Sequence, residues 1–209
     1  MSTTARYSAG YSAVSTAAPD TDLLARLRTG DEAAFEALFR RHYGQVYGIV
    51  HRLAPDEADD LAQDVFLRLY SRPPRAGDSN LAAWLHRVAV NVGYNALRSE
   101  RRRTRGTDAE RAVAEAERAA NASARDTEAC AARREAQRCV RAVLRRIGKR
   151  QAALLVLRHS GLSYREIAGV IGVAPGSVGT LLARAERAFR RAHERMYPPA
   201  AGPDGDEGG

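Results

Sequence analysis

The chain has 209 residues, of which 44% are apolar and 28% charged. That length accommodates one large domain or two small helical ones. No stretch approaches the roughly eighteen apolar residues of a membrane span, and the first residues lack the apolar core of a signal peptide. The composition therefore favours a cytoplasmic protein over an exported or membrane-spanning one.

The net charge of +8 is distributed unevenly along the chain. Residues 135–195 contain 13 basic and 4 acidic side chains, and residues 98–105 add a net +4. Residues 21–97 are almost neutral, with 9 basic and 10 acidic side chains. A basic half beside a neutral half predicts a polyanionic partner, and nucleic acid is favoured because no basic helix has a strongly aromatic apolar face suited to a membrane.

The sequence offers no recognisable catalytic or metal-binding motif. Cys130 and Cys139 are nine residues apart, which fits neither a zinc knuckle nor a redox CxxC pair, so we predict two unpaired thiols. The five histidines are scattered, and no metalloprotease motif or phosphate-binding loop is present. We therefore expect no cofactor and no metal, and a nuclease is the least favoured function.

The pattern predicts an all-α fold with two small helical domains joined by a flexible linker. The first domain spans residues 21–104 and the second spans residues 135–197. The linker, residues 105–134, is mostly Ala, Arg and Glu without an apolar stripe. Two tails, residues 1–20 and the acidic residues 198–209, are predicted to be disordered.

Four helices are predicted in the first domain. A short helix ends at Gly30, and a long one runs from about Asp31 to Leu53. A third begins at Pro55, and a fourth begins near Leu81 after a loop rich in Pro and Gly. In the second domain, two further helices are expected around residues 140–147 and 152–158.

The last part of the second domain has the pattern of a helix-turn-helix. Ser163 and Glu166 have the spacing of a capping box that starts a helix, Gly172 fits the turn, and Pro175 suits the first turn of the next helix. The apolar residues expected to hold the two helices together are Ile167, Ala168, Ile171, Val178, Leu181 and Leu182. This pattern favours a DNA-binding motif over a generic helical hairpin.

Three parts of the chain, in this order, resemble the extracytoplasmic-function (ECF) group of bacterial RNA polymerase sigma factors. Residues 30–43 are similar to the start of sigma domain 2. Residues 59–70 and 83–98 resemble its later helices, and the helix-turn-helix resembles sigma domain 4. The resemblance spans about residues 21–197 and implies a specificity subunit that binds core RNA polymerase and promoter DNA, commonly controlled by an anti-sigma factor.

The third helix is predicted to contact the polymerase. Asp60, Gln63 and Asp64 lie at i, i+3 and i+4, so their side chains cluster on one face. Such a face is usually just solvated, but the resemblance implies that it contacts the clamp helices of the largest core subunit. Acceptor groups there would determine how the two proteins align more than how tightly they bind.

The fourth helix and the loop before it are implied to read the melted −10 element. Asn amides can read base edges, whereas arginines hold phosphates. For Trp84, the only tryptophan, core packing is favoured over base stacking. The candidate −10 residues are Asp78, Ser79, Asn80, His86, Arg87, Asn91, Asn95 and Arg98, of which those from His86 onward are expected to point outward.

The second domain is implied to bind the −35 element. Related proteins often have basic residues where this chain has Gly179, Leu181 and Glu186, so we expect phosphate anchoring and shape readout rather than many base contacts. The candidate −35 residues are Arg165, Ser177, Thr180, Arg184 and Arg187.

One alternative from another functional class remains at this point. A stand-alone helix-turn-helix regulator with an N-terminal sensing or dimerisation domain would also be basic and all-α. Binding of residues 21–104 to core polymerase separates the two hypotheses, since only a sigma factor predicts it.

Overall fold

The computed structural model describes residues 18–74, 80–103 and 128–198. These residues form α-helices and two short 3-10 turns, Pro55–Glu57 and Pro175–Ser177, as the all-α prediction requires. The predicted tails fall almost wholly outside the described residues, as does most of the linker. The helices are α1 (Asp20–Arg28), α2 (Glu32–Leu53), α3 (Ala58–Ser71), α4 (Leu81–Arg103), α5 (Glu128–Leu144), α6 (Lys149–His159), α7 (Tyr164–Ile171) and α8 (Val178–Met196).

The start of α2 shows why the local signals predicted the helix ends well. Gly30 has φ +88° and turns the chain, and the Asp31 side chain then accepts hydrogen bonds from the amides of Ala33 and Ala34, at 3.0 and 3.2 Å. Arg26 forms an ion pair with Asp31 at 2.8 Å. The hydrogen bond from Arg26, followed by those from the backbone amides, lowers the pKa of Asp31.

The first domain is built around α2, which packs against α1, α3 and α4. Asp20 fixes α1 by accepting a hydrogen bond from His42 Nε2 at 2.8 Å and by pairing with Arg41. On the opposite side, α4 approaches α2 closely at Gly93, where an added Cβ would lie 2.9 Å from Leu53 Cδ1. A side chain at this position would therefore collide with the core of the domain.

The second domain contains α5 to α8. Helix α5 begins at Glu128, so the last seven residues of the predicted linker are helical. Val140 of this helix is 45% exposed, whereas Val143 and Leu144 are buried. Helix α6 is the centre of the domain, since residues 152–157 are all buried.

The two domains pack directly against each other. Helix α4 contacts both α6 and α7, and the buried apolar residues of both domains belong to one continuous cluster. Tyr94 on α4 donates a buried hydrogen bond to the carbonyl of Ile147, which follows α5, at 3.1 Å. Helix α4 is therefore covered on one side by its own domain and on another by the second domain.

Two helical glycines of the first domain give a matched test of the packing at Gly93. Because alanine has the higher helix propensity, replacing either Gly93 or Gly44 with alanine should stabilise its helix by about 1 kcal/mol. At Gly93 the new methyl group would also lie 3.2 Å from Leu53 Cβ, whereas Gly44 has nothing within 4 Å. We expect Gly93→Ala to be less stable than Gly44→Ala by about 1–3 kcal/mol in urea unfolding. Equal stabilities would contradict the close approach.

Candidate functional site

The predicted polymerase-binding face on α3 is exposed. Asp60, Gln63 and Asp64 are all solvent-exposed, and none of their side chains forms a hydrogen bond or ion pair with another described residue. Leu67, which the sequence analysis missed, continues the same face and is 51% exposed. Its signal was visible in the sequence, because Leu67 lies off the inner apolar stripe of this helix. The face therefore combines free acceptor groups with an apolar side chain.

Helix α3 is held in place from its other side. Ala62, Val65 and Phe66 are buried, and Phe66 lies 4.7 Å from Phe39 of α2 between ring centroids. At the start of the helix, Tyr43 Oη donates a hydrogen bond to Asp59 Oδ1 at 3.3 Å. Burial, assisted by the Asp59 charge, raises the pKa of Tyr43, so the phenol stays protonated as a donor. The predicted polymerase-binding face is consequently presented by a helix that is packed on its other side.

The residues at the start of α4 have two different roles. Asp78 and Ser79 lie outside the described residues. Asn80 is exposed and caps the helix, with its Oδ1 accepting a hydrogen bond from the amide of Ala83 at 2.9 Å. Trp84 is half-buried against the core, which confirms that it packs there.

The expected outward position of His86 is wrong. Its side chain is only 1% exposed, and its Nε2 donates to Gln45 Oε1 of α2 at 3.0 Å. The physical reason is that α4 is covered on two sides, whereas the sequence pattern indicated only one inner face. Burial, followed by repulsion from His42, lowers the pKa of His86 to about 4, and attraction to Glu166 only partly opposes this.

The other candidates on α4 differ in how far they are exposed. Arg87 reaches the second domain, where its Nε donates to the carbonyl of Val170 and its Nη2 to that of Gly169, both at 3.0 Å. Asn91 is half-buried, so the expectation of an outward position is only partly correct for this residue. Arg87, Asn95 and Arg98 are exposed, as expected.

The predicted helix-turn-helix is present as α7 and α8. Ser163 Oγ accepts a hydrogen bond from the Glu166 amide at 3.3 Å, and the Glu166 carboxylate accepts one from the Ser163 amide at 2.8 Å. The Ser163 hydroxyl also donates to the Glu166 carboxylate at 2.7 Å, and this bond, followed by that from the Ser163 amide, lowers the pKa of Glu166. Gly172 ends α7 with φ +76°, a left-handed conformation that favours glycine. Val170 of α7 is also buried, and its carbonyl accepts the hydrogen bond from Arg87 of α4.

The candidate −35 residues share one property. All of them are exposed, and those on α8 lie on the side away from its buried residues Val178, Leu182 and Ala185. They are Arg165, Ser177, Thr180, Arg184 and Arg187.

Tyr164 is a further exposed residue of this surface that the sequence analysis missed. It is 46% exposed, with the Arg158 guanidinium 5.5 Å from its ring centroid. Gly179 of α8 faces this ring, since an added Cβ would lie 3.6 Å from Tyr164 Cε2. A basic side chain at position 179 would therefore have to share its space with Tyr164. The signal in the sequence was an aromatic residue at the first helical position, off the apolar stripe.

A cavity of about 850 Å³ lies at the boundary between the domains. Its floor is apolar and includes Val140, Leu144 and Phe189, and its lining includes Arg52 from the first domain and Arg190 from the second. Both domains thus contribute to one groove with an apolar floor and cationic side chains.

Two further findings concern the described residues alone. They contain no cluster of three or more His, Cys, Asp or Glu side chains that could hold a metal ion. No single helix among them is long and apolar enough to cross a membrane. The pair Tyr164–Ile171 and Pro175–Met196 together has the length and composition of a membrane span, but it is bent by 101° at the break between its two parts.

Comparison with known proteins matches both domains to one family. The model of Sigma-70 region 2 matches residues 38–103, and that of Sigma-70 region 4 matches residues 137–189. The chain is 30% identical over 187 residues to the RNA polymerase sigma-H factor of Pseudomonas aeruginosa, covering 87% of this chain and 97% of that protein. It is 29% identical over 175 residues to the ECF RNA polymerase sigma-E factor of Escherichia coli, covering 81% of this chain and 92% of that protein. The chain belongs to the ECF group of RNA polymerase sigma factors.

The fold agrees with this assignment. The solved structure of CnrH in complex with the cytosolic domain of CnrY superposes with a TM-score of 0.56 at 20% identity, covering 84% of this sigma factor and 97% of CnrH. As a sigma factor, the chain binds core RNA polymerase and directs it to promoters. The alternative of a stand-alone regulator is not favoured.

The burial of His86 predicts a pH dependence of the stability of this sigma factor. The unfolded histidine takes up a proton near pH 6.5, whereas the folded one does so only at about pH 4. The contribution of His86 to the free energy of unfolding is therefore present above pH 6.5 and is lost as the pH falls towards 4. This loss amounts to at most about 3 kcal/mol. We expect His86→Gln to flatten the fall in the free energy of unfolding between these pH values. An unchanged slope would show that His86 is not buried in its neutral form.

Proposed function

We propose that the sigma factor docks on core polymerase through a face of α3 formed by Asp60, Gln63, Asp64 and Leu67. The observation that carries this proposal is the clustering of exposed acceptors, free of partners among the described residues, around an exposed leucine. Basic side chains on the clamp helices of the largest core subunit would pair with the acceptors. The leucine would add apolar contact area, and the charges would align the two proteins at the interface.

We further propose a division of labour on promoter DNA. Helix α4 and the loop before it capture the melted −10 element, with Asn91, Asn95 and Arg98 at its surface and Arg87 available once it leaves α7. The chain binds the −35 element through α8, mainly by contacts to phosphates. The exposure of Thr180, Arg184 and Arg187 on one side of α8, and of Ser177 just before it, supports this assignment. Neither step requires catalysis by the sigma factor itself, which we place in the cytoplasm with RNA polymerase.

The groove between the domains supports control by an anti-sigma factor. A partner helix with an apolar stripe and acidic flanks would match the floor around Val140 and Phe189 and the cationic side chains of Arg52 and Arg190. Such a partner would touch both domains at once and hold them together.

Charge reversal tests the docking face on α3. We expect Asp60→Arg combined with Asp64→Arg to reduce promoter-specific run-off transcription with core enzyme by about tenfold or more, because like charges would then meet at the interface. The matched control is Asp22→Arg with Asp56→Arg, which changes the net charge equally at exposed positions of the same domain. The proposal is wrong if both double variants transcribe equally well.

Salt dependence tests the surface of α8. Arg184→Ala with Arg187→Ala should weaken binding of the holoenzyme to promoter duplex and lower the slope of log K against log salt by about two, since two phosphate contacts are lost. Arg195→Ala, an exposed arginine near the other end of α8, should leave the slope unchanged. A slope that does not change in the double variant would remove these arginines from the interface.

A further inference from the structure

The groove between the domains follows one face of α8 towards the end of that helix. The residues of α8 that line it lie at i, i+3, i+4 and i+7, and they are Glu186, Phe189, Arg190 and His193. Tyr197, at i+11, continues the same face. The ring centroids of Phe189 and His193 are 6.5 Å apart, and those of His193 and Tyr197 are 5.2 Å apart. A row of rings therefore leads from the groove to the end of α8.

The end of α8 lies beside α5, which forms another wall of the groove. The two helices contact each other, and the side chains of Tyr197 and Cys139 share a hydrogen bond. Arg133 and Val140, on either side of Cys139 along α5, both line the groove. The chain therefore leaves α8 at one end of the groove.

The charges of the groove and of the chain that follows it are opposite. Four arginines line the groove against one carboxylate, that of Glu186. These arginines are Arg52, Arg133, Arg141 and Arg190. Residues 199–209, which we call the acidic segment, contain three acidic side chains and no basic one. The three are Asp204, Asp206 and Glu207. An anionic segment thus follows directly on a cationic groove.

The acidic segment is long enough to reach these arginines. Arg190 lies seven residues before Tyr197, a distance of about 10 Å along a helix. Asp204 follows Pro198 by six residues, which span about 20 Å when extended. The prolines at 199 and 203 favour an extended chain over a helix. The carboxylates can therefore reach the groove without any movement of the helices.

The covalent connection makes weak contacts sufficient. Ion pairs between exposed side chains are individually weak and are screened by salt. A short tether, however, raises the effective concentration of a segment near its site to the millimolar range. A few such pairs then hold the segment in place for much of the time, while a partner that binds more tightly can still displace it.

We propose that the acidic segment occupies the groove between the domains, with its carboxylates against the arginines, and acts as an internal competitor for acidic partners. A partner helix would have to displace residues 199–209 before it could reach the floor around Val140 and Phe189. The acidic segment would thus raise the concentration of partner needed to fill the groove. This inference goes beyond the function proposed above, since it holds whether or not an anti-sigma factor uses the groove.

A spin label tests where the acidic segment lies. The label is attached to Gly208→Cys in the full-length chain with Cys130→Ser and Cys139→Ser, where a hydroxyl replaces the thiol beside Tyr197. The measurement is the loss of intensity of backbone amide signals in NMR spectra, relative to a diamagnetic label. The matched control has the same label and a neutralised segment, with Asp204→Asn, Asp206→Asn and Glu207→Gln.

We expect the amide signals of His51 and Val140, on different helices of the groove, to weaken at least about threefold more with the acidic segment than with the neutralised one. Salt at about 0.5 M should remove the difference. Equal losses in both proteins would overturn the proposal. So would losses that fall on dilution, because they would show a second copy of the chain in the groove.

Charge reversal in the groove tests the other side of the contact. Arg133→Glu with Arg190→Glu should abolish the difference between the acidic and the neutralised segment. Arg72→Glu with Arg150→Glu, at exposed positions that do not line the groove, changes the net charge equally and should preserve it. The same response from both pairs would contradict a contact in the groove.

A peptide measures the competition itself. A synthetic peptide of residues 199–209, titrated while the groove amides are observed, should bind the full chain with the neutralised segment at least about threefold more tightly than the parent chain, whose own segment occupies the site. The domains are identical in these two proteins, so the comparison does not depend on the folding of a groove variant. Equal affinities, or no binding to the neutralised chain at millimolar peptide, would overturn the proposal.

Discussion

The arrangement of this sigma factor depends on the burial of α4 from two directions. Helices α2 and α3 cover one side of it, and α6 and α7 approach another. A helix in this position must satisfy two sets of neighbours, which is why it contains a buried histidine, a buried tyrosine bonded to a distant carbonyl, and an arginine that ends on the next domain. The exposure of the −10 candidates on α4 therefore depends on where this helix lies.

The division of labour between the domains has a physical basis in their side chains. Helix α8 presents arginines and a threonine, the turn before it presents a serine, and Gly179 faces the ring of Tyr164. Such a surface holds phosphates well and distinguishes bases weakly. Helix α4 contributes asparagine amides, which can read base edges. Under the proposed function, most of the sequence selectivity therefore belongs to the first domain.

Local features of the fold could be predicted from the sequence because their causes are local. The Asp31 cap, the proline before α3 and the Ser163–Glu166 capping box lie within a few residues of the helix ends that they determine. The exposed face on α3 was predictable for the same reason. The burial of His86 and the engagement of Arg87 were not, because their partners Gln45 and Val170 are 41 and 83 residues away along the chain. Amphipathic periodicity indicates one inner face, and α4 has two.

Helix α7 has only eight residues, well below the length at which an isolated helix is stable in water. Its capping box, its terminal glycine and its neighbours α6 and α8 support it, but α4 supplies part of its packing. Separation of the domains would remove that support while leaving α8 attached to its own core. The first helix of the DNA-binding motif would then fray more easily than the second. A supporting helix that softened in this way would leave the recognition helix freer to change its angle.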